Sequence, residues 1–298
     1  MLAQATGSNM QKIAYYIELV KPRLTAMALF SGAVGYVAAV YVGVPIDWLV
    51  VTHLVISLGF VGAASNIINQ AMEHKLDSIM DRTAGRPIPT GRVNAREALI
   101  LGIICLIIGL VYLYYKFPRT PLVTLLALIT FLSYVCIYTP MKTRSGLNTI
   151  VGALPGALPA LTGWVAFRGE MDFHGFVLFA IIFVWQLPHF FSIAWIYKED
   201  YKKAGYKMIS LYDETGKQAV VLIILGTISL IAVSFLPFIS TPAHTGDLYF
   251  IGTFMANALL LVTALLLIKD RNKYMKLYFY GSITWLPFVL TLMMIDRV

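Results

Sequence analysis

Apolar runs follow one another along almost the whole chain, separated by short polar stretches. About 20 apolar residues suffice for a helix to cross a bilayer. Nine such runs can be read, roughly 24–43, 47–69, 97–115, 120–138, 147–167, 173–197, 218–239, 248–268 and 277–295. No linker rich in Pro, Gly or Ser divides them into halves. The pattern therefore predicts an all-α membrane protein, nine transmembrane helices in one domain spanning residues 1–298. The first 20 residues hold Lys12 and Glu18 but no apolar core, so no cleaved signal is expected.

Composition narrows the class further. With 59% hydrophobic and 13% charged residues, 298 residues cannot assemble a water-soluble surface. Cys105 and Cys136 both fall inside predicted spans, which gives no disulfide framework. The net charge of +8 reads as topology. If the polar segments alternate sides from the N-terminus, 19 of the 23 Lys and Arg residues fall on one side. The other side keeps Lys116, Arg119, Arg168 and Arg297. The positive-inside rule then predicts a cytoplasmic N-terminus and an outer C-terminus. Nucleic acid is excluded as a partner, because the basic residues do not cluster with aromatics on one module.

Charge sign alone does not account for the acidic residues. Glu73, Asp77, Asp81, Glu97, Glu199, Asp200, Asp213 and Glu214, eight of fifteen, lie at the inner mouths of spans two/three and six/seven. These loops, about 70–96 and 198–217, are equivalent if spans one to four and five to eight are parallel quasi-repeats. Asn69, Glu73, Asp77 and Asp81 are spaced four apart, which on a helix keeps them near one face. Asn66 and Asn69 stand in the apolar end of span two, where an unpaired amide is costly. Two facing oxygen-ligand clusters suit Mg²⁺, which binds through one or two carboxylates, water and substrate phosphate. Arg82, Arg86, Lys142 and Lys203 lie beside them and can meet a diphosphate, the arginines in bidentate fashion.

Span six contains a deeper polar group, Trp185-Gln186-Leu187-Pro188-His189-Phe190. Gln186 and His189 share a helix face, and Pro188 removes a backbone donor. An ionisable residue inside a span is a functional candidate, and imidazole is a common axial ligand of haem iron. Packing is the competing reading, and for His53 in span two it is the preferred one. Trp164, Trp185, Phe190, Phe191 and Trp195 are candidates for lining a pocket. Gly152, Gly156 and Ala160, four apart in span five, are read as sites of close helix approach.

These motifs resemble the UbiA superfamily of intramembrane prenyltransferases and, within it, the protohaem IX farnesyltransferases. The resemblance runs from Lys21-Pro22-Arg23 through Asn69-x3-Glu73-x3-Asp77, Arg82-Thr83-x2-Arg86-Pro87 and Thr139-Pro140-Met141-Lys142. It continues through Gly156-Ala157-Leu158-Pro159 and Trp185-Gln186-x-Pro188-His189-Phe190 to Asp200-Tyr201-x2-Ala204-Gly205-x2-Met208. It implies nine helices around a central cavity, capped on the cytoplasmic side by the second and sixth connecting loops. It implies farnesyl transfer from farnesyl diphosphate to a vinyl group of haem B, with Mg²⁺, in a bacterial cytoplasmic (inner) membrane. Asn69, Glu73 and Asp77 would hold one metal ion, and Asp200 with Glu199 the other. Arg82, Arg86, Lys142 and Lys203 would steady the diphosphate, with Asn66 nearby. Trp185, Gln186 and His189 would meet the haem. Asp77, Asp200, Lys142 and Arg86 are the catalytic candidates, and haem A synthase or terminal-oxidase assembly factors the candidate protein partners. Glu73 stands where aspartate is usual, and Lys75 where another acid is common, which puts the number of metal ions in question.

Two rival functions remain open on the sequence. A prenyltransferase for another aromatic or chlorin acceptor would keep the acidic loops and change the span-six string. A haem or lipid transporter would place its polar groups near the midplane in inverted halves, whereas here they gather at one mouth.

Overall fold

The computed structural model describes residues 2–298, with side chains described for 11–209 and 211–298. It is helical almost throughout. Helix α1 (Leu2–Val20) leads through Lys21 into α2 (Pro22–Ala39), followed by α3 (Trp48–Asp77) and α4 (Ala95–Lys116). Next, α5 (Pro121–Leu132) passes through a π-helical turn, Ser133–Tyr138, into the single turn α6 (Thr139–Met141). Then come α7 (Asn148–Arg168), α8 (Phe173–Ile196), the short α9 (Lys198–Lys203), and α10 (Lys217–Ser234) with its continuation α11 (Leu236–Ile239). Helices α12 (Asp247–Lys269) and α13 (Arg271–Ile295) complete the bundle.

Eight of these segments are long and apolar enough to cross a membrane. The remaining predicted span, 24–43, forms the 18-residue α2. That helix opens on Pro22-Arg23 and holds Ser31, Gly32, Gly35 and Tyr36, which lowers its hydropathy. Its centre is buried by other helices. Side-chain caps on α3, α4, α8 and α13 come from Asp47, Asn94, Asp172 and Asp270, each accepting from backbone N–H groups of the first turn.

Packing is organised around the α2–α7 pair, and small residues explain why. A methyl group on Gly35 would lie 1.9 Å from the Ala160 carbonyl oxygen, and one on Gly163 1.9 Å from that of Gly32. The two backbones therefore touch, as small-residue faces permit. Gly152 is closed off by the Tyr138 ring and Gly156 by the Gln186 amide. The predicted small-residue stripe is thus a packing device, serving three different neighbours. The pair separates two apolar cores. Val34, Ala38, Ala157 and Trp164 belong to the core shared with α8, α10, α12 and α13. Tyr36, Val37, Leu158 and Val165 belong to the core shared with α3, α4 and α5. Outward rows such as Ile103, Ile107 and Val111 on α4, or Leu259 and Val262 on α12, are exposed and form the lipid-facing surface.

Candidate active site

Helix α3 is 30 residues long, about 45 Å at 1.5 Å per residue. That exceeds the roughly 30 Å of bilayer hydrocarbon, so its last turns bring Asn69, Glu73 and Asp77 out to one mouth on a single rigid face. Asp81 was expected to extend the row. The helix stops short of it, because Thr83 Oγ1 donates to the Asp77 carbonyl at 2.8 Å and the chain folds back. Asp81 consequently sits in the following turn, exposed, and accepts a hydrogen bond from Lys203 Nζ at 2.8 Å.

The three helical groups form a buried, cation-laced cluster. Asn69 Nδ2 donates to Glu73 Oε2 at 2.8 Å and to Thr139 Oγ1 at 3.0 Å. Lys142 Nζ also donates to Glu73 Oε2, at 2.9 Å, and Arg86 Nη1 to Asp77 Oδ2, at 2.7 Å. Glu73 and Asp77 are only 5% and 1% exposed, so these are desolvated pairs. Burial pulls the Lys142 ammonium down, and the Glu73 carboxylate more than offsets it, leaving the net shift upward. Burial pushes the Tyr206 phenol up, reinforced by the carboxylates of Glu73 and Asp77.

Thr139 enters this cluster through the π-helical turn. The Tyr134 carbonyl accepts both the backbone N–H and, at 2.9 Å, the hydroxyl of Thr139. That leaves the Thr139 oxygen to accept from Asn69. Lys21 was read only as a topology charge and part of a motif, and it also reaches the site, donating from Nζ to Asn69 Oδ1 at 3.1 Å. Its backbone is left-handed, φ 51°, unusual for a residue with a long side chain. Asn66 and Gln70 hold this joint by donating to the carbonyls of Val20 and Leu19. Burial, then repulsion from Arg86 and Lys142, lowers the Lys21 ammonium to about 7. The local signal in the sequence was a lysine directly before a helix-opening proline.

The second acidic loop closes over the first. Asp200 Oδ1 and Oδ2 accept from the backbone N–H groups of Asp81 and Arg82, each at 3.3 Å. The Arg82 guanidinium lies over the Tyr197 ring, 4.7 Å from its centroid, and reaches the Tyr201 hydroxyl. Lys207 N donates to the Lys142 carbonyl at 2.7 Å, joining the α6 end to the same cap. Glu199 is exposed, with its carboxylate 4.0 Å from Lys198 Nζ. Beneath the cap, Tyr138, Asn148, Phe190, Ile193, Tyr201 and Met208 enclose a cavity of about 50 Å³. Phe190 is the one pocket aromatic expected from the sequence that lines it.

Deeper in α8, the span-six group divides. Gln186 Nε2 donates to the carbonyls of Ala153 and Ile182, and its oxygen lies against Gly156, so the amide locks α7 to α8. Trp185 Nε1 donates to the Ser282 carbonyl at 2.7 Å. His189 bonds through Nδ1 to Ser282 Oγ and stacks on Trp185. Helix α8 runs unbroken through Pro188. His53, at the opposite end of the bundle, pairs with the Tyr112 hydroxyl at 2.7 Å, in keeping with a packing role.

Whether this mouth suits a metal ion can be judged from its donors. Glu73 Oε1 is buried without a hydrogen-bond partner, an orphaned anionic oxygen of the hard type that Mg²⁺ prefers. Among the described residues, no three His, Cys, Asp or Glu side chains form a closed metal cage. Open coordination completed by phosphate and water is the usual arrangement for Mg²⁺.

Fold and site together define a polytopic membrane protein with an acidic, cation-laced mouth capped by two loops. Comparison with known proteins specifies the family. The UbiA prenyltransferase family matches residues 28–292, and the chain belongs to that family. Protoheme IX farnesyltransferase of Solibacter usitatus is 36% identical over 294 residues, covering 95% of this chain and 98% of its own length. The protein of the same name from Opitutus terrae is 35% identical over 301 residues, covering 98% and 97%. Among solved structures, digeranylgeranylglyceryl phosphate synthase superposes with a TM-score of 0.78 at 21% identity, over 96% of this chain and 98% of that one. A UbiA homologue from Archaeoglobus fulgidus, bound to GPP and Mg²⁺, gives 0.63 at 17% identity, over 94% and 99%.

Proposed function

We propose that this protein transfers the farnesyl group of farnesyl diphosphate to a vinyl group of haem B, with addition of water, giving haem O. The names of its relatives supply the acceptor and donor. The observation that most supports a diphosphate site is the Asp200 carboxylate bridged to the backbone of Asp81 and Arg82. It brings the two acidic loops, 119 residues apart for Asp81 and Asp200, onto one mouth. The mouth then faces the cytoplasm of a bacterial inner membrane, following the excess of Lys and Arg on that side. Residues 1–298 act as one domain, with loops 70–96 and 198–217 as its cap.

In this reading the allylic C–O bond of farnesyl diphosphate breaks and its electron pair leaves with the diphosphate. Mg²⁺, when bound, supplies the charge that stabilises this leaving group. Asn69, Glu73 and Asp77 would hold one ion and Asp200 a second. Glu199, exposed beside Lys198, would join Asp200 there. Arg82, Arg86, Lys142 and Lys203 set fixed positive charge around the departing oxygens. Tyr138, Phe190 and Tyr201 wall the space beneath, keeping water from the developing allylic cation. The vinyl π electrons form the new carbon–carbon bond. Water then adds to the carbon next to the macrocycle and loses a proton. His189 holds the porphyrin, stacked beside Trp185.

The test is direct. Purified protein in micelles is incubated with haem B and farnesyl diphosphate, with and without Mg²⁺, and the extracted haems are separated by chromatography and weighed by mass spectrometry. A product heavier than haem B by farnesol, formed only with the ion, is expected. Unchanged haem beside intact farnesyl diphosphate would refute the proposal.

A further inference from the structure

We propose that Ser282, on α13, is a positioning residue that fixes the tautomer of His189 and leaves its Nε2 lone pair free to bind the iron of a metalloporphyrin. The inference rests on the reading that His189 meets haem. It starts from a single hydrogen. Ser282 Oγ lies 2.7 Å from the Phe279 carbonyl oxygen and 2.7 Å from His189 Nδ1. A carbonyl can only accept, so the short contact to Phe279 requires the serine hydrogen to point there. Were that hydrogen turned to the imidazole, lone pairs on two oxygens would face each other at 2.7 Å with nothing between them. Ser282 Oγ must therefore accept from His189, and Nδ1 must carry the proton.

The neutral ring then has its lone pair on Nε2, for which no hydrogen-bond partner exists among the described residues. Two further contacts hold the ring plane. Trp185 stacks on it with centroids 4.8 Å apart and planes 16° apart, and Phe279 at 5.2 Å and 19°. Ser282 also anchors the indole, since Trp185 Nε1 donates to its backbone carbonyl. One residue thus sets the imidazole through its side chain and the flanking ring through its main chain. Ser282 itself is 1% exposed, so water does not compete for the bond. Metal-binding histidines are typically built this way, with the distal N–H tied to an acceptor that fixes orientation and raises basicity.

The probe is ferric haem B, titrated into the full chain in micelles and followed by its Soret band. The iron–imidazole stretching band is read by resonance Raman after reduction. Ser282→Ala keeps the backbone carbonyl that anchors Trp185 and removes only the acceptor of His189. It should weaken haem binding about 10- to 100-fold and shift the iron–imidazole band to lower frequency, with farnesyl diphosphate affinity unchanged. Ser282→Thr, which keeps the hydroxyl, should restore both haem signals. Wild-type haem affinity and an unmoved band in Ser282→Ala would overturn the proposal, provided that His189→Ala abolishes the band. Equal loss of haem and farnesyl diphosphate binding would overturn it as well, marking Ser282 as a packing residue. If His189→Ala retains the band, it is the assignment of His189 to haem that fails.

Discussion

The buried pair between Glu73 and Lys142 offers the sharpest energetic test of the site. Its N–O distance is 2.9 Å, and the two residues are 5% and 8% exposed. Lys142→Met leaves the Glu73 carboxylate with uncharged partners such as the Asn69 amide. Removing one member of a buried ion pair costs about 3–5 kcal/mol, because the other charge stays desolvated. Lys142 Nζ also sits 4.8 Å from the Tyr138 ring centroid, a cation–π contact whose loss adds about 0.5–2 kcal/mol. Glu73→Leu orphans the ammonium instead, at a similar cost. The double variant replaces both charges by apolar groups, an exchange that is often near neutral, so it should be more stable than either single variant. Unfolding in mixed micelles by titrated SDS, followed by tryptophan fluorescence, gives the three free energies and their coupling. A coupling above about 2 kcal/mol is expected for groups in direct contact. Costs that simply add in the double variant would refute the desolvated pair. Turnover separates stability from chemistry, since the folded double variant should remain inactive.

Asp77→Asn and Asp200→Asn should each abolish farnesyl transfer while leaving membrane insertion intact, as read by product chromatography beside extraction yield. Chelation of divalent ions by EDTA should stop turnover and added Mg²⁺ restore it; full activity in EDTA would remove the metal assignment. Gly156→Ala places a methyl group 1.9 Å from the Gln186 oxygen, and overpacking of this kind costs about 1–3 kcal/mol, measurable by the same unfolding assay. His53→Phe removes its bond to Tyr112 at the opposite end, so it should lower stability by about 1 kcal/mol and leave turnover unchanged.

The segments that cross the membrane were legible because twenty-residue apolar runs have few other fates. The row Asn69, Glu73, Asp77 was legible because helical spacing puts every fourth residue on one face. Asp81 departed from that row for a reason outside the spacing, a threonine two positions later that captures the last helical carbonyl. Gln186 and Asn66 carried the right chemistry for a ligand, yet each donates from its amide to a carbonyl of a neighbouring element, Ala153 and Val20. Sequence spacing cannot reveal such partners, which lie 33 and 46 residues away. Lys21 and Ser282 were missed for the same reason. Each gains its meaning from a side chain on another helix, Asn69 for the first and His189 for the second.

The π-helical turn at Ser133–Tyr138 has a consequence for how this region tolerates change. A helix that accommodates one extra residue can lose it again without losing its hydrogen-bonded ladder. Such a deletion would tighten the segment into ordinary α-helix, and because the surplus residue is absorbed within that one turn, the residues beyond would keep their face. Thr139 and Lys142 would stay turned toward Asn69 and Glu73. Elsewhere in a span the loss of one residue would rotate every later side chain by about 100°, so this turn is the place where the helix tolerates a shortened chain.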